Sequence, residues 1–554
     1  MGKDGWSLAF PLNTADESEG LGNAGIETFR DSPYASTARE CGQNSKDAGV
    51  GRPVRLTFDV LDVARGTIPS IATLTDEVRL CLQAAKAKKD EKEIEFFQVA
   101  QETLSAENLR VLRIEDFNTK GLIGPCEEGN AFHALLKADG VTVKDSSTAG
   151  GSFGIGKNAV FAVSDLQTVF YSTVYADEES GTHVYMAQGK TKLVSHRDRN
   201  GDAVRQTGYW GNPTGFRPVT DPAIPPAWMH RTEIGTSAYV IGFREVDHWD
   251  SRVAYSVLQN FFAAIHRGDM SFLINNGKIR IDRLNLEHLF QDSEIIGAAE
   301  EDGHKDDFDL SADFLECLTS AEAEEEIFEI RGLGKISFRI LVKEGLPKRV
   351  AIIRNGMLIT TDLQNFNDRF QRFHGTKDFI AIVEPVEDEG RTHFKRLENP
   401  RHNELSAERI SNKAKRDQAT RSMRELAKRI RDTVKQHAAV AQDEASTIDE
   451  LARYFAAGRI GQKSKEAKTD DDLNTIIYAP KETPRKPPKR RTAPGRSTAT
   501  GEQGDGAGDT GGGGGDGEST GGDSRGGGDY GTGGTGTGAG GGGNKQPTSE
   551  KPQG

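Results

Sequence analysis

Residues Arg39–Gly49 read RECGQNSKDAG, and how this stretch is read decides the fold. Glu40, Asn44 and Asp47 fall at i, i+4 and i+7, which places them on one face of a helix with 3.6 residues per turn. A carboxylate four residues before a carboxamide suits metal-assisted phosphate chemistry. The amide oxygen is a hard ligand for Mg2+, an ion that keeps waters and phosphate oxygens in its shell. The carboxylate can orient and deprotonate an attacking water. An ordinary surface helix showing Glu, Asn and Asp to solvent has the same pattern, so the neighbouring sequence has to decide.

Upstream, residues 20–48 read as helical with a break at Ser32-Pro33, where Ser32 is placed to cap and Pro33 to open the helix. Downstream, PVRLTFDVLDV at 53–63 alternates Val54, Leu56, Phe58 and Val60, the period of a strand with one buried face. Residues 75–105 read as one or two helices. A second strand, LRVLRI, runs directly into Glu115-Asp116-Phe117-Asn118-Thr119-Lys120-Gly121, a turn-rich exit. Residues 139–157 form a glycine-bearing loop that opens a short apolar helix over 158–164. Further strands are predicted at 166–175, 182–188 and 234–243, with a polar surface excursion over 195–230 between them. Helices and strands alternate through residues 1–250, which indicates an α/β domain.

The loop Gly151–Lys157, GSFGIGK, satisfies most of a Walker A phosphate loop. Asn158 stands where that motif needs Ser or Thr for Mg2+, and no long buried strand feeds the loop, so the P-loop reading is set aside. Three spaced pieces remain: the E-x-x-x-N-x-x-D-A helix at 40–48, the strand-exit Asp116 followed by Gly121, and the G-x-x-G-x-G-K loop. Together with a fourth, Arg231-Thr-Glu-Ile-Gly235-Thr236, they resemble the GHKL ATPase superfamily of gyrase B, histidine kinases, MutL proteins and the ninety-kilodalton heat-shock chaperone. The resemblance covers residues 20–245. It implies a Bergerat-type ATP-binding sandwich, a mixed sheet with helices on one face, using ATP and Mg2+.

By this resemblance Glu40 is the general base and Asn44 the Mg2+ ligand, while Asp47 lies near the nucleotide and acts through water. Asp116 accepts from the adenine amino group, and Thr236 supports that contact. Gly151, Gly154 and Gly156 let the lid wrap the phosphates, their bare backbone and the following helix N-terminus favouring anions, and Lys157 adds positive charge. One departure stands out. The family pattern D-x-G-x-G is here Asp116-Phe117-Asn118-Thr119-Lys120-Gly121, with Asn118 in place of the first glycine and Gly121 one residue late. Asparagine tolerates the left-handed backbone a glycine would supply.

Residues 252–266 form a strong helix, and a second α/β region follows, with strands at 271–275, 335–343 and 349–354 and a hairpin turn at Asn355-Gly356. The acidic insert 291–329 reads as exposed. In size and position, residues 251–404 resemble the transducer domain of MutL-like members, the closest match in layout. That domain donates a Lys to the γ-phosphate, for which Arg401, in Glu398-Asn-Pro-Arg-His-Asn-Glu404, and Lys348 are candidates. A histidine kinase is disfavoured, since the first histidine is His133, inside the ATP-binding region. Residues 405–480 make a helical basic segment. Over 405–438 Met423, Leu426, Ala427, Ile430 and Val434 give an apolar stripe amid ten Lys/Arg and four Asp/Glu between 406 and 435.

Of the 63 glycines, 24 fall within 501–543, and the proline- and lysine/arginine-rich 481–496 precedes them. Residues 481–554 therefore read as a disordered linker and tail that buries too little apolar surface to fold. Net charge is −13 and mean hydropathy −0.59, so any nucleic-acid surface has to be local. Cys41, Cys81, Cys126 and Cys317 have no C-x-x-C spacing, which argues against zinc and disulfides and fits a reducing cytoplasm. No apolar run is long enough to span a membrane, and no secretory signal is read at the N-terminus.

The expectation is a cytoplasmic, Mg2+-dependent ATPase that works as a conformational switch. The process would be nucleic-acid-associated (DNA repair, restriction or phage defence), with DNA met through 405–438 and 481–496, partner proteins, and an ATP-dependent homodimer as a further possibility. The alternative is a chaperone-like or partner-remodelling ATPase without nucleic-acid contact.

Overall fold

In the computed structural model the described residues are 5–22, 24–138, 156–399, 401 and 403–440, and they belong to one unit, Met1–Gly458. The loop glycines Gly151 and Gly154, the segment 481–496 and the rest of the tail lie outside them.

Among the described residues two sheets organise the chain. The first has nine strands: β1 (Ser7–Ala9), β2 (Val54–Ala64), β3 (Asn108–Phe117), β4 (Ser164–Ala176), β5 (His183–Lys192), β6 (Thr207–Gly211), β7 (Gly235–Phe243), β8 (Met270–Ile274) and β9 (Ile279–Ile281). Their order is β1-β6-β5-β4-β7-β3-β2-β8-β9, antiparallel except for the β2–β8 pair. The second sheet has β10 (Glu324–Ile330), β11 (Gly334–Val342), β12 (Arg349–Arg354), β13 (Met357–Thr360) and β14 (Phe379–Pro385), ordered β10-β11-β14-β12-β13. The expected mixed α/β sheet with packed helices, a second α/β layer and a long helix is therefore present.

Helix α1 (Pro33–Asp47) opens at Pro33 as read from sequence. Ser32 holds the cap position, but its hydroxyl meets His304 Nε2 at 3.2 Å instead of a helix amide. The side-chain period of two sorts each strand onto two cores. Leu56, Phe58, Leu112, Ile114, Ala238 and Val240 face α1 and α4 (Trp249–His266). Leu109, Val111, Tyr239 and Ile241 face the opposite side, where α2 (Ile71–Lys88) and α3 (Glu91–Ser105) pack. The α2–α3 hairpin thus covers part of the second face, an addition to the one-sided sandwich the resemblance implies.

Helix α4 is buried nearly all round, its polar Asp250, Ser251, Ser256 and Asn260 included. A Cβ on Gly42 would lie 2.6 Å from the Phe261 ring, so α1 and α4 touch at that glycine. The other flank of α4 receives the second sheet: a Cβ on Gly356 would lie 2.8 Å from Ala264 Cβ. Asn355 and Gly356 both have positive φ, the turn read from sequence between β12 and β13.

Two expectations change. The strand expected at 271–275 in the second region is β8, which joins the first sheet in parallel with β2. The insert 291–329 is not simply exposed. Its helices α5 (Ser293–Glu301) and α6 (Lys305–Thr319) turn their acidic faces outward while Ile295, Phe308 and Phe314 enter the main core. Strand β6 falls inside 195–230, expected as a polar surface excursion, and buries Trp210; neither β1 nor β6 is long enough to show a clear period of two.

Two longer helices follow the second sheet's last strand, α7 (Asp388–Leu397) and α8 (Lys413–Ala438). The predicted stripe Met423, Leu426, Ala427, Ile430 and Val434 is buried, leaving Arg421, Arg424, Lys428 and Lys435 exposed.

Candidate functional site

The site lies where α1 crosses the ends of β3 and β7. Asp116 lies one residue before the end of β3, opposite Leu56 of β2. Its Oδ1 accepts the Thr236 amide at 2.7 Å and the Thr119 hydroxyl at 2.6 Å, and its Oδ2 accepts the Ser45 hydroxyl at 3.2 Å. Burial pushes this carboxyl up from its usual range, and the Thr119, Thr236 and Ser45 hydrogen bonds with nearby Arg231 oppose that shift. Arg231 donates to the Asp116 carbonyl, to the Thr236 carbonyl at 3.2 Å and to Ser237 Oγ at 2.9 Å, which fixes the start of β7 against β3.

The turn after Asp116 explains the missing glycine. Asn118 has φ +61°, in the left-handed region, and its side-chain amide donates to the Pro53 carbonyl at 2.7 Å. Gly121 has φ +70°, and a Cβ there would lie 2.4 Å from the Val174 carbonyl oxygen and 3.2 Å from that of Gly235. So Gly121 does enter the site wall beside the Gly235-Thr236 strand.

On α1, Glu40 is 4 % exposed and Asn44 is exposed. A Cβ on Gly156 would sit 1.9 Å from Glu40 Oε2, so Gly156 packs directly against the Glu40 carboxylate. Asp47 turns elsewhere. Its Oδ1 lies 3.6 Å from Arg354 Nη1 of β12, so it faces the second sheet. Lys157 is not held out towards the site: its ammonium donates to the carbonyls of Ala134 (3.0 Å) and Ala138. The structure thus brings together Glu40, Asn44, Asp116, Gly121, Gly156 and Thr236, and sets Asp47 and Lys157 to its sides.

Arg401 and Glu40 line one cavity of about 320 Å³, with Arg39, Asn260, His304 and Asn403. Lys348, the other candidate, donates to the Thr376 carbonyl at 2.8 Å and pairs with Asp378 at 3.3 Å, within the second layer. Sequence reasoning missed Ser45 and Thr119, and it quoted Arg231 only as the head of the Gly235-Thr236 stretch, without its bond to Asp116. It also missed Arg354, whose partner Asp47 is some 300 residues away, and Glu398 and Lys395 beside it. Only Arg231, standing four residues before Gly235, had a local signal.

The residues present suit a nucleotide and one metal ion. A buried carboxylate that only accepts hydrogen bonds matches an exocyclic amine, and an exposed carboxamide beside a buried carboxylate matches Mg2+ that keeps its waters. No cluster of three or more His, Cys, Asp or Glu that could hold a metal occurs among the described residues, and none of their helices is long and apolar enough to cross a membrane.

No family model and no curated protein matches the sequence. Among solved structures, the ATPase and transducer domains of DNA topoisomerase II from Balamuthia mandrillaris align at 8 % identity and TM-score 0.33. That match covers 71 % of this chain and 86 % of the other. The B-subunit of DNA gyrase from Myxococcus xanthus aligns at 11 % identity and TM-score 0.26, covering 57 % and 79 %. Similarity at this level carries no functional argument, and the reading of the site rests on its own geometry.

Proposed function

We propose that this chain is a GHKL-type ATPase that binds ATP with Mg2+ and hydrolyses it slowly as a conformational switch. The observation that carries the reading is the pair of buried carboxylates at opposite ends of one helix crossing. Asp116 is fixed as a hydrogen-bond acceptor by Thr236, Thr119 and Ser45, and Glu40 lies under Gly156 one turn before exposed Asn44. In this reading Asp116 accepts from the adenine amino group and selects the base. Asn44 holds the metal, which supplies charge neutralisation at the phosphates. Glu40 orients the attacking water and takes its proton, and its burial keeps bulk water from that carboxylate. Gly151, Gly154 and Gly156 give the loop its close approach to phosphate.

The process we favour is nucleic-acid-associated, in a cytoplasmic protein that works with partners and dimerises on ATP. What supports this is α8, whose outer side keeps Arg421, Arg424, Lys428 and Lys435 exposed. A transducer role for the second sheet is supported by the contact of Arg354 with Asp47.

The test is steady-state ATP hydrolysis by the full chain with Mg2+, with and without DNA, for wild type, Glu40→Ala and Asn44→Ala. Slow turnover, binding without cleavage in Glu40→Ala, and loss of Mg2+-dependent binding in Asn44→Ala are expected. Salt-sensitive stimulation by DNA separates the favoured process from partner remodelling without nucleic acid. A wild type that neither binds nor cleaves ATP removes the assignment.

A further inference from the structure

Four charged side chains are closed into the joint between α1 and the second sheet. Arg354, at the end of β12, is 2 % exposed. Its Nε and Nη2 donate to the two oxygens of Glu398, the latter at 3.1 Å, and its Nη1 is 3.6 Å from Asp47 Oδ1. Glu398 is fully buried. Lys395, on the last turn of α7, is buried beside the same cluster, with Asp47, Arg354 and Glu398 as its charged neighbours.

The pairing in this joint is incomplete. Among the described residues Asp47 Oδ2 is buried with no donor, and Lys395 Nζ is buried with no acceptor. Burial, together with the adjacent Arg354, pulls the Lys395 ammonium down to about 8 against the opposing pull of Asp47 and Glu398. One guanidinium therefore serves two carboxylates while a second cation stands by unused. A buried ammonium without an acceptor costs stability that an apolar side chain of similar length would not. An arrangement that wastes a charge in one state is explained if another state uses it.

The two carboxylates lead to different places. Asp47 is three residues beyond Asn44 on the site helix. Glu398 stands three residues before Arg401, which lines the Glu40 cavity, and it is, with Glu40, a charged neighbour of Arg39. We propose that Lys395 is the exchange partner of a two-state charge switch. In the state described here Arg354 bridges Asp47 and Glu398; in the nucleotide-bound state Lys395 takes Asp47, and Arg354 passes wholly to Glu398, which resets Arg401 at Glu40. Lys395 is thus a positioning residue that acts through Asp47. This rests on the ATPase reading of the same site.

The experiment uses the full chain and compares wild type with Lys395→Met, Asp47→Asn and the double variant. The readouts are Tm without nucleotide, affinity for a non-hydrolysable ATP analogue, and kcat. Lys395→Met is expected to raise Tm, to bind the analogue within about three-fold of wild type, and to lose about ten-fold in kcat, a typical size for a coupling residue. In the Asp47→Asn background the same substitution should change kcat less than two-fold, because its partner is gone. A fall in Tm, unfolding included, overturns the proposal, as does wild-type kcat in Lys395→Met or additive losses in the double variant. A wild type that binds no nucleotide overturns the ATPase reading and this inference with it. Normal turnover in Lys395→Met overturns this inference alone.

Discussion

Replacing Gly156 by alanine tests whether Glu40 is the base. An added Cβ would lie 1.9 Å from Glu40 Oε2, whereas ordinary contact begins at 3.4 Å, so the carboxylate has to retreat about 1.5 Å. The backbone of Gly156 lies outside the positive-φ region, so alanine adds no conformational strain there. The group that yields is the far end of a side chain with three rotatable bonds, and the cost to folding should stay within about 1 kcal/mol. Catalysis has less tolerance: displacement of a reacting group by about 1 Å costs about 100-fold. Gly156→Ala is therefore expected to keep its Tm and its affinity for a non-hydrolysable ATP analogue while kcat falls about 100-fold. Steady-state phosphate release and calorimetric titration on the same preparation measure both. Turnover within three-fold of wild type, at unchanged affinity, would refute the reasoning, because the carboxylate would have moved without consequence.

Three other substitutions probe separate parts of the argument. Asp116→Asn puts an amide where Ser45, Thr119 and the Thr236 amide all donate, so ATP affinity should fall about 10–100-fold by titration, with secondary structure retained by circular dichroism. Asn118→Val forces a β-branched residue to φ +61° and removes the bond to the Pro53 carbonyl. It should destabilise by about 2 kcal/mol in urea unfolding, while Asn118→Gly stays near wild type. Burial lowers the His196 pKa, but hydrogen bonds with Cys81 and Glu77 outweigh that and hold it at about 10, above its ordinary 6.5. The pair's contribution is then complete below pH 6.5 and is lost as pH rises towards 10, so Tm should fall across that window in wild type and much less in Glu77→Gln.

What could be read from sequence is what neighbouring residues decide. The Glu40–Asn44 spacing, the Pro33 start, the Asn355-Gly356 turn and the α8 stripe are local patterns, and each appears in the structure. Asn118 could be read for the same reason, since its tolerance of positive φ is intrinsic. Pairing between distant segments was not visible. β8 lies parallel to β2 across some 200 residues, which no local period records. The acidity of 291–329 hid Phe308 and Phe314, because helices α5 and α6 are charged on one face only. The side placement of Asp47 and Lys157 depends on Arg354 and on the carbonyls of Ala134 and Ala138, partners that a motif match leaves out.

Helix α4 has a consequence for how the protein can be divided. It is one wall of both layers: Phe261 meets Gly42 of α1 on one flank, and Ala264 meets Gly356 on the other. A fragment ending at residue 250 would lose this wall together with β8 and β9, baring Phe58 and the underside of α1 to water. The smallest autonomous piece that keeps the Asp116 site therefore has to run past Ile281. In the intact chain the two layers should melt in one calorimetric transition, since the core that α4 fills is common to both.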